Sequence, residues 1–205
     1  MTDDDSTRIA IRGAKTWTIK EWKEIDFLQE PGWQKAIEIF EDRIRGRFLD
    51  VIDIFECRNG AGFAVMALDC LLIETLQQFR EGKAETPRGK SGEYFQLFLT
   101  ETSFKDHFDN NLADLFYDQI RCGILHQAEV KKSSRVQTRA EIPLIVKDGN
   151  GGITINRRKF HEKLALVFQE YINALRKSDP PDQSLRENFC IKMNAICRMQ
   201  EGKAE

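Results

Sequence analysis

The chain has 205 residues, of which 41% are hydrophobic and 31% charged. That is enough apolar material for one well-filled core, and a net charge of −2 with a pI near 6.0 excludes a globally basic nucleic-acid binder. Five cysteines (Cys57, Cys70, Cys122, Cys190 and Cys197), odd in number and without a CxxC pair, argue against a disulfide framework, a zinc knuckle or a redox motif. Free thiols in a reducing cytoplasm fit them best. The start Met1-Thr2-Asp3-Asp4-Asp5 lacks the basic and apolar regions of a secretory leader. The most apolar stretch, Phe63 to Leu76, contains Asp69 and Glu74 and is shorter than the roughly 18 residues a membrane helix needs, so a cytoplasmic protein with no membrane partner is expected.

In chain order, residues 1 to 30 read as a polar, broken N-terminal extension with a short strand at Thr16-Trp17-Thr18-Ile19, and Pro31-Gly32 marks the turn into the body. Residues 31 to 200 read as a single helical domain. From Trp33, apolar residues at Ala36, Ile37, Phe40, Ile44, Phe48, Val51, Ile52 and Phe55 keep helical spacing. Asn59-Gly60-Ala61-Gly62 then turns the chain into a helix from Phe63 to Phe79 that is apolar almost all round, as in the middle of a bundle. Gly82 to Gly92 is a loop, a short helix follows at about Glu93 to Thr100, and Leu112, Leu115, Phe116 and Ile120 define the next helix. Ile142 to Val146 and Ile153 to Ile155 flank Asp148-Gly149-Asn150-Gly151-Gly152 as a hairpin at about 140–156. A long helix through Phe160, Leu164, Phe168, Tyr171 and Leu175 and a last one from about Leu185 to Met199 complete the chain. The expected fold class is mainly α: a helical bundle of about five longer helices with a small β-hairpin insertion.

Function is best sought in the string Phe116-Tyr117-Asp118-Gln119-Ile120-Arg121-Cys122-Gly123-Ile124-Leu125-His126-Gln127. Arginine is a permanent cation shaped to grip phosphate, and histidine is the side chain best suited to moving protons near neutral pH. Around it the charge is uneven: between Arg121 and Lys163 ten Lys and Arg face four Asp and Glu, which makes the segment +6 and leaves −8 for the remainder. Such a basic module concentrates a polyanion locally, although a solvated basic loop would look the same.

Five residues along a helix turn a side chain by about 140°, so Arg121 and His126 cannot converge directly on one atom, whereas Tyr117 and Arg121 share a face. Three arrangements resolve this: the helix ends near Gly123, the arginine reaches around, or two copies face each other across a symmetric dimer and share one cleft. The chemistry then follows from RNA itself. Its 2′-hydroxyl attacks the adjacent phosphorus once a base such as His126 removes its proton, and Arg121 stabilises the charge growing on the phosphoryl oxygens. The expected products are a 2′,3′-cyclic phosphate and a 5′-hydroxyl.

Supporting candidates are Tyr117, which could orient Arg121 or simply pack in the core, and Glu74, which could orient Arg121 or form a structural ion pair. Asp69 and Glu74 lie in an apolar helix, and each needs a partner there. Gln127, Lys131, Lys132 and Arg135 are candidates to hold RNA phosphates, with a mobile, solvated loop as the alternative. No metal is expected, because Cys122 and His126 supply two ligands where zinc takes three or four, and no cofactor motif is present. His107 and His161 read as surface histidines.

The spacing from Arg121 to His126, at the end of a helix in a bundle of this size, resembles the HEPN superfamily, whose hallmark is an arginine and a histidine separated by four to six residues. The resemblance covers roughly residues 33 to 178, and only the motif is diagnostic. It implies a homodimeric helical bundle with the motif at the dimer cleft. It further implies a metal-independent endoribonuclease, with Arg121 and His126 as the catalytic pair, in a stress, phage-defence or toxin–antitoxin setting, and an antitoxin or nucleotidyltransferase as a possible partner. Many active members carry a polar residue where this chain has Cys122. The superfamily also includes non-catalytic modules that bind RNA, a nucleotide or a partner protein, and a scaffold that buries Arg121 and His126 in separate contacts is the third reading.

Overall fold

The computed structural model describes residues 5–56, 58–177 and 180–198 and is mainly helical with little strand. Its contacts divide the chain into two compact units. One comprises the chain up to Val51, Gln78–Glu85 and the chain from Gln169 onward, and the other comprises Ile52–Gln77 and Thr86–Phe168.

In the first unit, β1 (Arg8–Arg12) and β2 (Lys15–Thr18) pair antiparallel and lead into α1 (Ile19–Lys23), which opens on a Thr18–Glu21 capping box. Residues 8–23 are thus folded where a polar, broken stretch was expected, since Ile9, Ala10, Trp17, Ile19 and Trp22 are all buried. A two-stranded hairpin is marginal alone, and its support comes from residues distant in sequence. The Trp17 indole N–H donates to Asp42 (2.9 Å) and that of Trp22 to Asn194 (2.9 Å). The strand pairing slips between Arg8 and Ala10, and the guanidinium groups of Arg43 and Arg47 both donate to the Ile9 carbonyl at that bulge. Burial and the neighbouring Arg47 charge lower the Arg43 pKa to about 10.

α2 (Glu30–Ile44) places Pro31 in its first turn and buries Ala36, Ile37, Phe40 and Ile44, the stripe its spacing predicts. The expected single helix from Trp33 to Phe55 is in fact interrupted by a π turn over Arg45–Leu49 before α3 (Asp50–Glu56). The unit's aromatic core brings Phe40 to 4.4 Å from Phe79 and 5.4 Å from Phe189, ring centre to ring centre.

The second unit is built mostly from α4 (Gly62–Glu81), α5 (Ser91–Glu101), a 3₁₀ turn at Ser103–Asp106, α6 (Asn110–Leu115), a π turn over Phe116–Arg121 and α7 (Cys122–Gln127). Asp109 caps α6 through the Leu112 N–H (2.7 Å). The strands β3 (Arg135–Gln137), β4 (Ile145–Lys147) and β5 (Ile153–Asn156) follow, then α8 (Arg157–Arg176). β5 is central, antiparallel to β4 and parallel to β3. The hairpin therefore has a third strand, which three residues of mixed polarity did not announce. Phe116 stacks on Phe160 with centroids 4.9 Å apart, and Phe104, Phe108 and Phe95 close around them. α9 (Gln183–Ile196) belongs to the first unit. The expected end of that last helix at Met199 lies outside the described residues, as does Cys57.

At 20 residues, α4 is long and apolar enough to cross a membrane by length and composition, and half of its apolar window is buried within the protein. Asp69 and Glu74 on this helix both have partners in the same unit. Asp69, fully buried, accepts from Nδ1 of His161 at 2.8 Å, so His161 is a buried residue rather than the surface histidine expected. Burial lowers the His161 pKa, but the bond and charge of Asp69, helped by Asp53 and Glu56, outweigh it and leave it raised. Burial likewise raises Asp69. His107 is exposed, as expected.

Candidate active site

The site begins with an apolar stripe. Phe116, Gln119, Ile120, Gly123 and Ile124 recur at helical spacing and are buried, which seats this helix against the second unit's core. The stripe runs through the π turn, where the Cys122 N–H bonds to the Tyr117 carbonyl, five residues back. Regular α geometry resumes at Cys122 and continues to Gln127, and Ala128 closes the helix in the left-handed conformation (φ 53°). The helix therefore does not end near Gly123, and that route to convergence of Arg121 with His126 is closed.

Arg121 points into the unit. Its Nη2 donates to Glu74 Oε2 at 3.1 Å, and the two side chains are only 15% and 18% exposed. Its guanidinium carbon lies 5.4 Å from the Tyr117 ring centre and 5.9 Å from that of Phe95, within cation–π range. Burial opposes the charge, but the charge and hydrogen bond of Glu74 together with Tyr117 and Cys122 outweigh it, so the Arg121 pKa is raised. Its Nε is buried without a partner. His126 differs: it is exposed on the last turn of α7, and its side chain makes no hydrogen bond or ion pair with the described residues. Gln127 beside it is also exposed. Within one chain, then, the pair is near in sequence but not joined by a contact.

The basic segment after the helix folds back on it. The Lys131 N–H donates to the Gln119 carbonyl (2.9 Å), and the Lys131 ammonium pairs with Asp118 (2.8 Å), an ion pair that raises the lysine pKa. Lys132 is exposed with φ 55°, and Arg135 is exposed at the start of β3. Gly123 permits this close return. A Cβ there would stand 2.5 Å from the Glu129 carbonyl oxygen and 3.1 Å from the Lys131 nitrogen, both backbone atoms. Gly123→Ala should therefore displace residues 129–131 and cost about 1–3 kcal/mol, the usual penalty for overpacking. A urea midpoint, together with faster amide exchange at Lys131, checks it; an unchanged exchange rate would mean that the loop does not depend on this approach.

Two arrangements escaped the sequence reading: the Asp69–His161 pair, and the hydrogen bonds of Gln119. Both carried a signal in the spacing, because Gln119 lies three residues after Phe116 and His161 three before Leu164, polar residues on apolar stripes. Among the described residues no group of three or more His, Cys, Asp or Glu could hold a metal ion. Cys70 is fully buried near Arg121, with burial holding its thiol well above the usual range. Comparison of the chain with known protein families, with curated proteins and with solved structures returns no match to any of them.

Proposed function

We propose that the protein is a metal-independent endoribonuclease of HEPN type, acting as a homodimer in a stress or defence setting. The observation that carries this reading is an exposed, unpartnered His126 five residues beyond an arginine that Glu74 and two aromatic rings hold in one orientation. Side chains 140° apart on one helix can serve one phosphate when a second copy supplies one of them. His126 takes the 2′-hydroxyl proton or returns one to the leaving 5′-oxygen. Arg121 stabilises the phosphorane oxygens with its Nη1 edge and any donor released from Glu74, a contribution of about 3–4 kcal/mol for a well-placed donor. Lys132 and Arg135 hold the flanking phosphates, and Lys131 joins them on leaving Asp118.

The test is to incubate the purified protein in EDTA with an RNA and with the same RNA carrying a single 2′-deoxy nucleotide at the cleaved position, and to identify the product ends. A 2′,3′-cyclic phosphate from the first and no cut in the second is expected; cleavage at the deoxy position would overturn the mechanism. A second reading, a non-catalytic module that binds RNA, a nucleotide or a partner protein, is favoured by the Arg121–Glu74 pair, which already neutralises the arginine. It predicts salt-dependent RNA binding without cutting.

A further inference from the structure

One fully buried side chain ties the motif helix to both the basic loop and the small sheet. Gln119 Nε2 donates to the Gly151 carbonyl (3.0 Å), at the turn between β4 and β5, and its Oε1 accepts from the Ser134 hydroxyl. Ser134 Oγ in turn accepts from the Ile153 N–H (3.0 Å), and the Gln119 main-chain carbonyl takes the Lys131 N–H (2.9 Å). A second layer backs this one: Ser133 donates to Asp148 (2.8 Å), and Asp148 accepts from the N–H groups of Asn150 (2.9 Å) and Gly152 (2.8 Å).

An aliphatic residue would fill this position on the apolar stripe without needing hydrogen bonds. An amide demands partners, since a buried polar group left unsatisfied costs about 1–3 kcal/mol, and here every partner lies in the basic segment or the sheet turn. The consequence is one of register. Lys131, Lys132 and Arg135 are carried on a backbone whose distance from Arg121 and His126 is set by hydrogen bonds rather than by a free loop.

We propose that Gln119 is a positioning residue for RNA: it holds the phosphate-binding cations of residues 131–135 in fixed register with Arg121 and His126, so that a strand gripped by the loop is presented to that pair. This rests on the RNA reading given above and adds to it the element that couples grip to chemistry. Phosphate contacts position a strand, and they do so only if the cations are themselves placed.

The experiment measures binding of a labelled single-stranded oligoribonucleotide to the full-length protein across a range of salt concentrations, for wild type, Gln119→Leu and Ser134→Ala. Circular dichroism confirms that each variant is folded. Each phosphate contact to a single strand contributes about 0.7 to the slope of log affinity against log salt. Gln119→Leu is expected to lower that slope by about 1–2 and to weaken binding roughly tenfold, with a smaller change of the same sign in Ser134→Ala. A merely structural role would lower the melting temperature and leave the slope alone, so an unchanged slope in the folded Gln119→Leu protein overturns the proposal. If that variant does not fold, Ser134→Ala decides in the same way. A wild type with no salt-dependent RNA binding overturns the RNA reading itself, which is a distinguishable result.

Discussion

Replacing His126 with alanine should slow RNA cleavage by about 10²–10⁴-fold, the usual contribution of a positioned acid or base, while leaving the protein's stability within about 0.5 kcal/mol of wild type. Both halves of that expectation come from the same observation. An exposed imidazole without a partner among the described residues holds nothing together, so its removal can be felt only in chemistry. Arg121→Ala offers the contrast. It should cost about 10²–10³-fold in rate and also destabilise the fold, because Glu74 would keep a half-buried charge with its partner gone. Rates measured in EDTA alongside urea denaturation of the same preparations separate the two effects. If the His126→Ala protein cuts as fast as wild type, the mechanism is wrong. If neither protein cuts but both bind RNA to a similar extent, the non-catalytic module replaces it, since phosphate attraction comes from the Lys and Arg residues.

The second large effect lies away from that helix. His161→Ala should destabilise the protein by about 3 kcal/mol near pH 6, because it leaves the fully buried Asp69 without its cation. The figure sits at the lower end for a broken buried pair, since Asp69 can shed its charge by taking up a proton. The pH dependence has a definite sign. His161 has a folded pKa above its unfolded value of about 6.5, so its contribution is complete below that pH and declines as pH rises through the folded value. The folded pKa of Asp69 is raised as well, so protonating it on mild acidification removes no stability from the folded state. Wild type should therefore lose stability between about pH 6 and pH 9, and His161→Ala should lose much less. Denaturation midpoints at the two pH values measure this, and an equal cost of the substitution at both would show that a charged pair is not what stabilises the site.

How much of this could be read from the chain follows from where each signal resides. The long helices were legible because α8 repeats apolar residues at helical spacing over several turns and α4 is apolar almost all round for more than four turns, and no local rule competes with either pattern. The π turns were not, because one extra residue per turn disturbs the stripe too little to show: Phe116, Ile120 and Ile124 still read as a regular helix. β3 was missed because its three residues gain their structure only by lying beside β5, and β1 because its support comes from residues more than thirty positions away. At the candidate site, the spacing of Arg121 and His126 was plain, and so was the need of Glu74 and Asp69 for partners. The identity of those partners was not, since Glu74 finds Arg121 47 residues along the chain and Asp69 finds His161 92 residues along. Gln119 gives a weaker signal of another kind: a neutral amide shows in the sequence only as one polar interruption of an apolar stripe, and its partners Gly151 and Ser134 lie 32 and 15 residues further along the chain.

The π turn over Phe116–Arg121 also bears on how this helix tolerates changes in length. A π turn spends about one more residue per turn than an α turn. Loss of one residue between Phe116 and Arg121 can thus be absorbed by tightening that turn to α geometry, with the aromatic anchor before it and the arginine after it keeping their facing. Beyond Arg121 there is no such slack. Losing a residue within α7 would swing His126 by about 100° relative to Arg121. Related chains should therefore vary in length before the arginine far more readily than between it and the histidine.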